Sequence, residues 1–330
     1  MLLDEDESGN KHGQNVRKSF PLADCLIDMS APDDGTGSLT RYIELLFGQP
    51  FHTPTPDEHG MMTAYVSSLR SASMGRQVGA AITTATVEII ATGCNEVPKF
   101  GGGLYWHGDQ NDHRDHILGH DPNDVLRYRL IGDVIKAFKK QNWLSDAITA
   151  REIKDLLQEA ISGSDGKTAI LQDSEIMNII EYGRSVHAEM TAITDCARRG
   201  VRVQDSAMYT TTFPCHLCAR HIVSSGIRRV VYLEPYPKSL VAELYEDSIS
   251  FNPVVPGKVV FEQFFGIAPR LYAPFFRMKS DARKTTTGQI KPFDLSKGTF
   301  CFVEEARQNE AIVAAEKECI KQFNEKMGQL

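Results

Sequence analysis

The sequence predicts an α/β fold in which helices and one sheet form a sandwich. Two observations favour this class. Short β-prone runs alternate with stretches of helical periodicity along most of the chain. The chain is also long enough, at 330 residues with 42% hydrophobic, to bury a sizeable core in one large domain or two smaller ones. No internal repeat is visible, so the elements are taken singly and in order.

The first 120 residues contain β-prone and helical segments separated by breaks. A Pro-rich stretch at 50–56 interrupts the chain. Two β-prone runs follow the helix after it, joined by a tight connection, and Gly93 ends the second run. The predicted elements are a buried strand at 20–29, a short helix at 39–47, a helix at 57–74, a hairpin of 78–83 and 87–92, and a loop rich in Gly, His and Asp at 99–120.

The rest of the chain begins with long helical periodicity over 124–160, followed by a polar break at 162–167. Strands and helices then alternate. They are a helix at 186–199, a strand at 207–212, a helix at 215–225, a strand at 229–234, helical periodicity at 239–245, a strand at 259–264 and a closing helix at 304–326.

Charge and cysteine content narrow the class of protein. A net charge of -7 argues against a broad, sequence-independent nucleic-acid surface, which needs a basic excess. Seven cysteines, an odd number in a long chain, do not indicate a secreted disulfide framework. The acidic N-terminus is not typical of a signal peptide, and no run of eighteen apolar residues is present. We therefore expect a soluble cytoplasmic protein without a membrane partner.

Two short motifs contain residues that bind metals. The first is His187-Ala188-Glu189, and the second is Pro214-Cys215-His216-Leu217-Cys218. Two cysteines at this spacing fit one turn at a helix N-terminus, where the helix dipole and free N–H groups stabilise thiolates. Pro214 suits the first positions of that helix. An imidazole and two thiolates leave the fourth position of a zinc ion open for water, which is typical of a catalytic site.

Simpler interpretations exist for each motif alone. A C-x-x-C pair can be a redox pair or half of a structural zinc site, and a His beside a Glu is usually an ordinary surface pair. No second C-x-x-C completes a four-cysteine site, however. Together and in this order, H-x-E and P-C-x-x-C form the signature of zinc-dependent nucleobase deaminases, in which the Glu is the general acid and base. The motifs thus predict metal ligands at His187, Cys215 and Cys218, with Glu189 as the catalytic residue.

The stretch TTFPCHLCARHIVSSGIRRVVY at 211–232 resembles the cytidine deaminase superfamily and, within it, the deoxycytidylate deaminases. A second match is Gly93-Cys94-Asn95-Glu96-Val97-Pro98, which is similar to the G-x-N-x-x-P loop of those enzymes. The resemblance implies a three-layer α/β/α cytidine deaminase-like fold with a central mixed sheet and a helical insertion. It also implies that Asn95 contacts the base and sugar of the substrate and that the Ala188 backbone holds the region of its exocyclic amine. The resemblance further implies that the protein forms homo-oligomers.

A closer resemblance is to bacterial anti-phage dCTP deaminases. It rests on TPTPDEHGMM, SLRSASMGRQVGAAI, NEVPKFGGGLYW and the long insertion before His187. It implies three parts of the chain: a lead-in at 1–57 similar to the end of a P-loop kinase-like domain, a deaminase domain at 58–270 with its helical insertion at 121–180, and a C-terminal extension at 271–330.

Two further sets of residues are candidates for binding. A nucleotide substrate needs a cation for its phosphate, and Arg gives bidentate contacts; the candidates near the active-site segments are Arg184 first, then Arg76, Lys99 and Arg114. Each of them alone is more commonly a solvated surface charge. A second, structural zinc site is an open alternative to a simple His-rich loop, with the candidate ligands Cys94, His107, Asp109, His113, His116 and His120.

The predicted reaction is hydrolytic deamination of free dCTP or dCMP, with Zn²⁺ making water acidic and Glu189 moving the proton. Such an activity would deplete the nucleotide pool during phage infection.

Two alternative functions stay open. An RNA or single-stranded DNA editing deaminase would need a basic channel and stacking aromatics; the acidic composition, and Phe213 where tRNA adenosine deaminases usually carry Glu, argue against it. A catalytically silent zinc-binding regulatory module would be expected to lack Glu189.

Overall fold

The structure is a computed structural model that describes residues 20–30, 35–164, 167–237, 239–251, 255–278, 283–298, 300–301 and 312–321. The chain divides into two compact units. One runs from Thr63 to Gln263, and the other combines the residues up to Met62 with those from Phe264 onward. The domain boundaries at 57 and 270 stay predictions.

The strands are β1 (Cys25–Leu26), β2 (Gly79–Thr83), β3 (Ile89–Cys94), β4 (Ala207–Thr212), β5 (Arg229–Glu234), β6 (Ile249–Phe251), β7 (Val259–Gln263) and β8 (Gly266–Ile267). The helices are α1 (Thr36–Leu46), α2 (Pro56–Ser68), α3 (Asp115–Leu118), α4 (Pro122–Lys140), α5 (Asp146–Thr149), α6 (Ile153–Ile161), α7 (Ala188–Arg199), α8 (His216–Ser225), α9 (Val241–Leu244) and α10 (Tyr272–Phe276). Short 3₁₀ turns lie at Phe20–Leu22, Glu175–Asn178, Pro269–Leu271 and Leu295–Lys297, and residues 312–321 are helical.

The larger unit contains one mixed sheet of six strands in the order β3-β2-β4-β5-β7-β6. β2 pairs antiparallel with both β3 and β4, whereas β4, β5, β7 and β6 are parallel neighbours. All five residues of β2 are buried. Because β4 and β5 are parallel, the chain must cross over the sheet between them, and α8 makes this crossover.

Two glycines show that helices cover both faces of this sheet. A Cβ on Gly93 would meet the backbone of Ala188 and Ala192 in α7, whereas one on Gly79 would meet Ala64 and Ser68 in α2. Gly93 is paired with Ala80, the residue next to Gly79, so the two glycines face opposite sides. The result is a three-layer α/β/α arrangement, which confirms the predicted fold class.

Gly93→Ala should destabilise the protein, because the added Cβ would lie 2.2 Å from the Ala188 carbonyl oxygen and 2.7 Å from the Ala192 nitrogen. We expect the free energy of unfolding to fall by about 3 kcal/mol, the upper range for overpacking, as measured by urea denaturation. Gly75→Ala is the matched control, since its Cβ would meet nothing within 4 Å. Equal losses in the two variants would contradict the close approach of β3 to α7.

The smaller unit has its own core of Leu45, Ile267, Leu271, Tyr272 and Phe275. β1 and β8 pair antiparallel within it. Its buried Glu58 accepts two hydrogen bonds from Arg41, at 2.8 and 2.7 Å, and one from the Ile267 backbone. Because a buried carboxylate without partners is costly, this pairing is what allows Glu58 to lie inside.

Several predicted elements differ from the structure. The predicted buried strand at 20–29 is wrong over most of its length, since it consists of a 3₁₀ turn and the two half-buried residues of β1. The periodicity at 124–160 is split into α4, α5 and α6, because Asn142 has a φ of 55° and a left-handed residue cannot continue a right-handed helix. The closing helix is present at 312–321, and its predicted ends lie outside the described residues.

Other predicted elements are confirmed. The strands at 207–212 and 229–234 match β4 and β5, and the hairpin is β2 and β3. Among the described residues, no helix is both long enough and apolar enough to cross a bilayer.

Candidate active site

The first part of the site is the N-terminus of α7. His187 is the N-cap residue, with extended backbone, and its side chain makes no capping hydrogen bond to the helix. The preceding residue, Val186, exchanges two backbone hydrogen bonds with Glu96, at 3.0 and 3.2 Å. The chain is therefore held in place immediately before the helix, and the imidazole is available for other contacts.

The second part is the N-terminus of α8, which follows β4 through Phe213 and Pro214. Cys215 is the N-cap residue and Cys218 lies in the first turn. Their sulfur atoms lie 3.2 and 3.4 Å from Nδ1 of His187. The sequence motifs that stand 28 residues apart are thus brought into one group by two adjacent helix N-termini.

This group fits a zinc ion. Its three ligand atoms lie within 4.8 Å of one another, and in the described parts of the chain no other set of three His, Cys, Asp or Glu residues is so arranged. Tetrahedral zinc with N at about 2.0 Å and S at about 2.3 Å requires an N···S separation of about 3.6 Å. The observed separations are close to that value, and a nitrogen with two sulfurs is a donor set that zinc prefers.

The electrostatics of the cysteines also favour a cation. Contacts with the side chains of Cys218 and His187 lower the pKa of Cys215 to about 4, which favours its thiolate form at neutral pH. Burial raises the pKa of Cys218, whose thiol donates a hydrogen bond to Oε2 of Glu189 at 3.4 Å. A metal ion held by Cys218 would take the place of this proton.

Glu189 lies in the first turn of α7, one residue beyond Ala188, and is only 4% exposed. Burial, together with the nearby charge of Cys215, raises its pKa to about 7. A carboxyl group with a pKa near neutrality can both accept and donate a proton. Its position beside the ligand group gives it the properties of a proton carrier.

The ligand group opens into a cavity of about 270 Å³. Glu189, His187, Cys215 and the buried Ala188 are part of its wall. The remaining wall includes Ser73, Met74, Gly75, Arg76, Val78, Asn95, Asp115, Asp121, Asn123, Ile180, Gly183, Arg184, Ser185, Thr212, Phe213 and Tyr236. Such a cavity is large enough for a small polar molecule.

Asn95 lines this cavity, but its amide already has protein partners. Its Oδ1 accepts a hydrogen bond from the Val78 N–H at 2.7 Å, and its Nδ2 donates to the Arg76 carbonyl at 2.6 Å. In this state Asn95 fixes the loop at 76–78. Contact with base and sugar stays a prediction.

The structure separates the four candidate phosphate ligands into two pairs. Arg76 and Arg184 line the cavity. Lys99 instead forms an ion pair with Asp109 at 2.8 Å, and Arg114 is buried against Asp112 at 2.6 Å, neither of them in the cavity wall. Only the first pair is placed to contact a ligand there.

The candidate ligands of the second zinc site do not come together. Asp109 pairs with Lys99, His113 lies edge-on to Tyr105, and His120 contacts the Leu118 carbonyl. Within the residues that the structure describes, the only ligand group of three is that of His187.

Sequence reasoning did not identify Asp115, Asp121, Asn123 and Tyr236 as parts of the cavity wall. Asp121 and the following Pro122 carry a recognisable helix-start signal, and the Asp121 side chain indeed caps α4. That signal gives the local structure but not the cavity, since the insertion meets the site only through tertiary packing.

A family model confirms the assignment that the site suggests. The model described as "Cytidine and deoxycytidylate deaminase zinc-binding region" matches residues 54–234, more than half of the chain. The chain belongs to this deaminase family. The match includes both metal-ligand motifs and Glu189, and the cytidine deaminase-like fold agrees with the six-stranded mixed sheet.

Relatives of this deaminase family match shorter segments. ComE operon protein 2 of Bacillus subtilis is 39% identical over 66 residues, which are 20% of this chain and 35% of that protein. A deoxycytidylate deaminase of Enterobacteria phage T2 is 44% identical over 54 residues, or 16% of this chain and 29% of that one. The chain thus spans about a third of these relatives. A solved dCMP deaminase of cyanophage S-TIM5, in complex with dCMP and dUMP, is 16% identical with a TM-score of 0.34, covering 64% of this chain and 98% of that one.

Proposed function

We propose that this protein hydrolyses the amino group of free deoxycytidine nucleotides, dCMP or dCTP, to give the deoxyuridine nucleotide and ammonia. The observation that carries the proposal is the buried Glu189 beside the His187, Cys215 and Cys218 group at the wall of one small cavity. The names of the relatives and the family membership support a deoxycytidine nucleotide as substrate. As in the anti-phage enzymes that the sequence resembles, this activity would deplete the nucleotide pool.

His187, Cys215 and Cys218 would hold Zn²⁺. When bound, zinc supplies a Lewis acid that makes a water molecule nucleophilic near neutral pH. Glu189 accepts the proton of the attacking water and delivers it to ring N3, and then carries a second proton to the amine leaving from C4. The Ala188 backbone, buried next to Glu189, orients the amine. Burial favours both transfers, because it raises the pKa of Glu189 from that of a solvated carboxyl group.

Arg184→Ala should raise the KM for dCMP by about tenfold or more with a smaller change in kcat. Arg184 lines the cavity, and a contact between a charged donor and phosphate is worth roughly a factor of ten in binding. Steady-state kinetics measure the effect. Arg220→Ala is the matched control, since Arg220 is an exposed arginine of α8 outside the cavity wall. An unchanged KM in the Arg184 variant would remove it from the phosphate site.

The function is tested by incubating the purified protein with dCMP, dCTP, deoxycytidine, cytidine and a cytosine-containing oligonucleotide. Ammonia and uracil are then quantified, with and without a chelator. Turnover of a free nucleotide that the chelator abolishes supports the proposal. Turnover of the oligonucleotide alone would identify an editing enzyme, and zinc binding without any turnover would identify a regulatory module.

A further inference from the structure

Arg184, the first candidate for the phosphate contact, already has a carboxylate partner. Its Nη1 donates to Oδ1 of Asp115 at 2.9 Å and to the His113 carbonyl at 3.1 Å. Asp115 is the more buried member of the pair, with 12% of its side chain exposed against 37% for Arg184. The acid is thus a fixed part of the cavity wall, and a phosphate must share the guanidinium with it.

The other cation of the cavity is paired as well. Arg76 donates to Oε2 of Glu234 at 2.6 Å. Asp121 also faces the cavity, where its carboxylate accepts a hydrogen bond from the Asn123 N–H. Asp115 and Asp121 both line the cavity. Burial raises the pKa of Asp115, Arg184 opposes this shift, and the charge of Asp121 adds to it. The arginines therefore offer little uncompensated positive charge.

We propose that Asp115 is a specificity-determining residue that limits the negative charge the catalytic cavity accepts, by occupying Arg184 and by repelling phosphates beyond the first. This inference rests on the proposed function. Like charges within a few ångströms in a partly buried site repel strongly. A single phosphate can share Arg184 with Asp115, whereas each added phosphate brings charge without a further free cation in this wall.

The test is the ratio of kcat/KM for dCTP to that for dCMP in the full-length protein. Asp115→Asn keeps the shape of the side chain and removes its charge, so we expect the ratio to rise about tenfold through the KM for dCTP. Asp133→Asn is the matched control, because Asp133 is an exposed acid of α4 that does not line the cavity. Its ratio should equal that of the unmodified protein.

The variant Asp115→Glu distinguishes an effect of the Asp115 charge from a merely structural role of this residue. This variant disturbs the contact with Arg184 but retains the charge, so the ratio should stay low if charge decides specificity. If Asn and Glu shift the ratio alike, Asp115 only positions Arg184 and the proposal is overturned. The unmodified protein gives an independent measurement: salt screens repulsion, so the ratio should increase with ionic strength. A ratio that falls with salt contradicts the proposal even if the variants do not fold.

Failure of this inference differs from failure of the proposed function. An unmodified protein that uses dCTP at least as well as dCMP refutes the role of Asp115 and leaves the deaminase intact. A protein that deaminates neither nucleotide refutes the proposed function itself.

Discussion

Glu189→Gln will lower kcat for the nucleotide substrate by about 10³-fold or more, while the protein still binds one metal ion per chain. The substitution keeps the size of a side chain that is 4% exposed and removes its capacity to carry a proton. Positioned proton transfer typically contributes 10²–10⁴-fold, and in the proposed mechanism one group serves both the water and the leaving amine. Steady-state kinetics, with metal content measured on the same preparation, test this expectation.

Glu243→Gln provides the control for this variant. Glu243 is an exposed glutamate of α9 in the same unit, so its change removes the same charge without touching the cavity. It should have the kcat of the unmodified protein. If Glu189→Gln keeps more than a tenth of the activity with metal bound, another group moves the proton and the mechanism must be revised.

Cys218→Ala will abolish both metal binding and turnover. Cys218 is fully buried, and its sulfur lies 3.4 Å from Nδ1 of His187. Removing it leaves two ligands, too few for a zinc site of three protein donors. We expect bound metal to fall from one to below about 0.1 per chain, and the free energy of unfolding to fall by several kcal/mol, because bound zinc stabilises only the folded state.

Cys196→Ala separates loss of metal from loss of packing. Cys196 is also a buried cysteine of the larger unit, with 1% of its surface exposed, but it lies in the hydrophobic core and not among the ligand residues. This variant should be moderately less stable and retain its metal and activity. Full metal occupancy in Cys218→Ala, measured by atomic absorption or mass spectrometry, would show that the ligand set is wrong.

Local sequence patterns predicted secondary structure correctly where the residues of an element by themselves decide its conformation. β4 and β5 have the predicted bounds, since uninterrupted β-prone runs can be buried on both faces of a sheet. α8 begins at His216, one residue later than predicted, because Cys215 is its N-cap, and Pro214 precedes the helix and does not occupy its first positions. The run at 124–160 shows the limit. Its periodicity is helical throughout, but a left-handed Asn142 ends α4, and no composition rule distinguishes that asparagine from a helical one.

The sequence by itself predicted the group of His187, Cys215 and Cys218 that the structure brings together, since thiolate and imidazole chemistry at fixed spacing limits what the motifs can do. Tertiary structure alone decided the surroundings of that chemistry. It placed Arg76 and Arg184 in the cavity wall and Lys99 outside it, and it brought Asp115 of α3 and Asp121, the N-cap of α4, into the same wall. The reason is physical: a coordination motif depends on short spacings along the chain, whereas a cavity wall depends on long-range packing that no local spacing encodes.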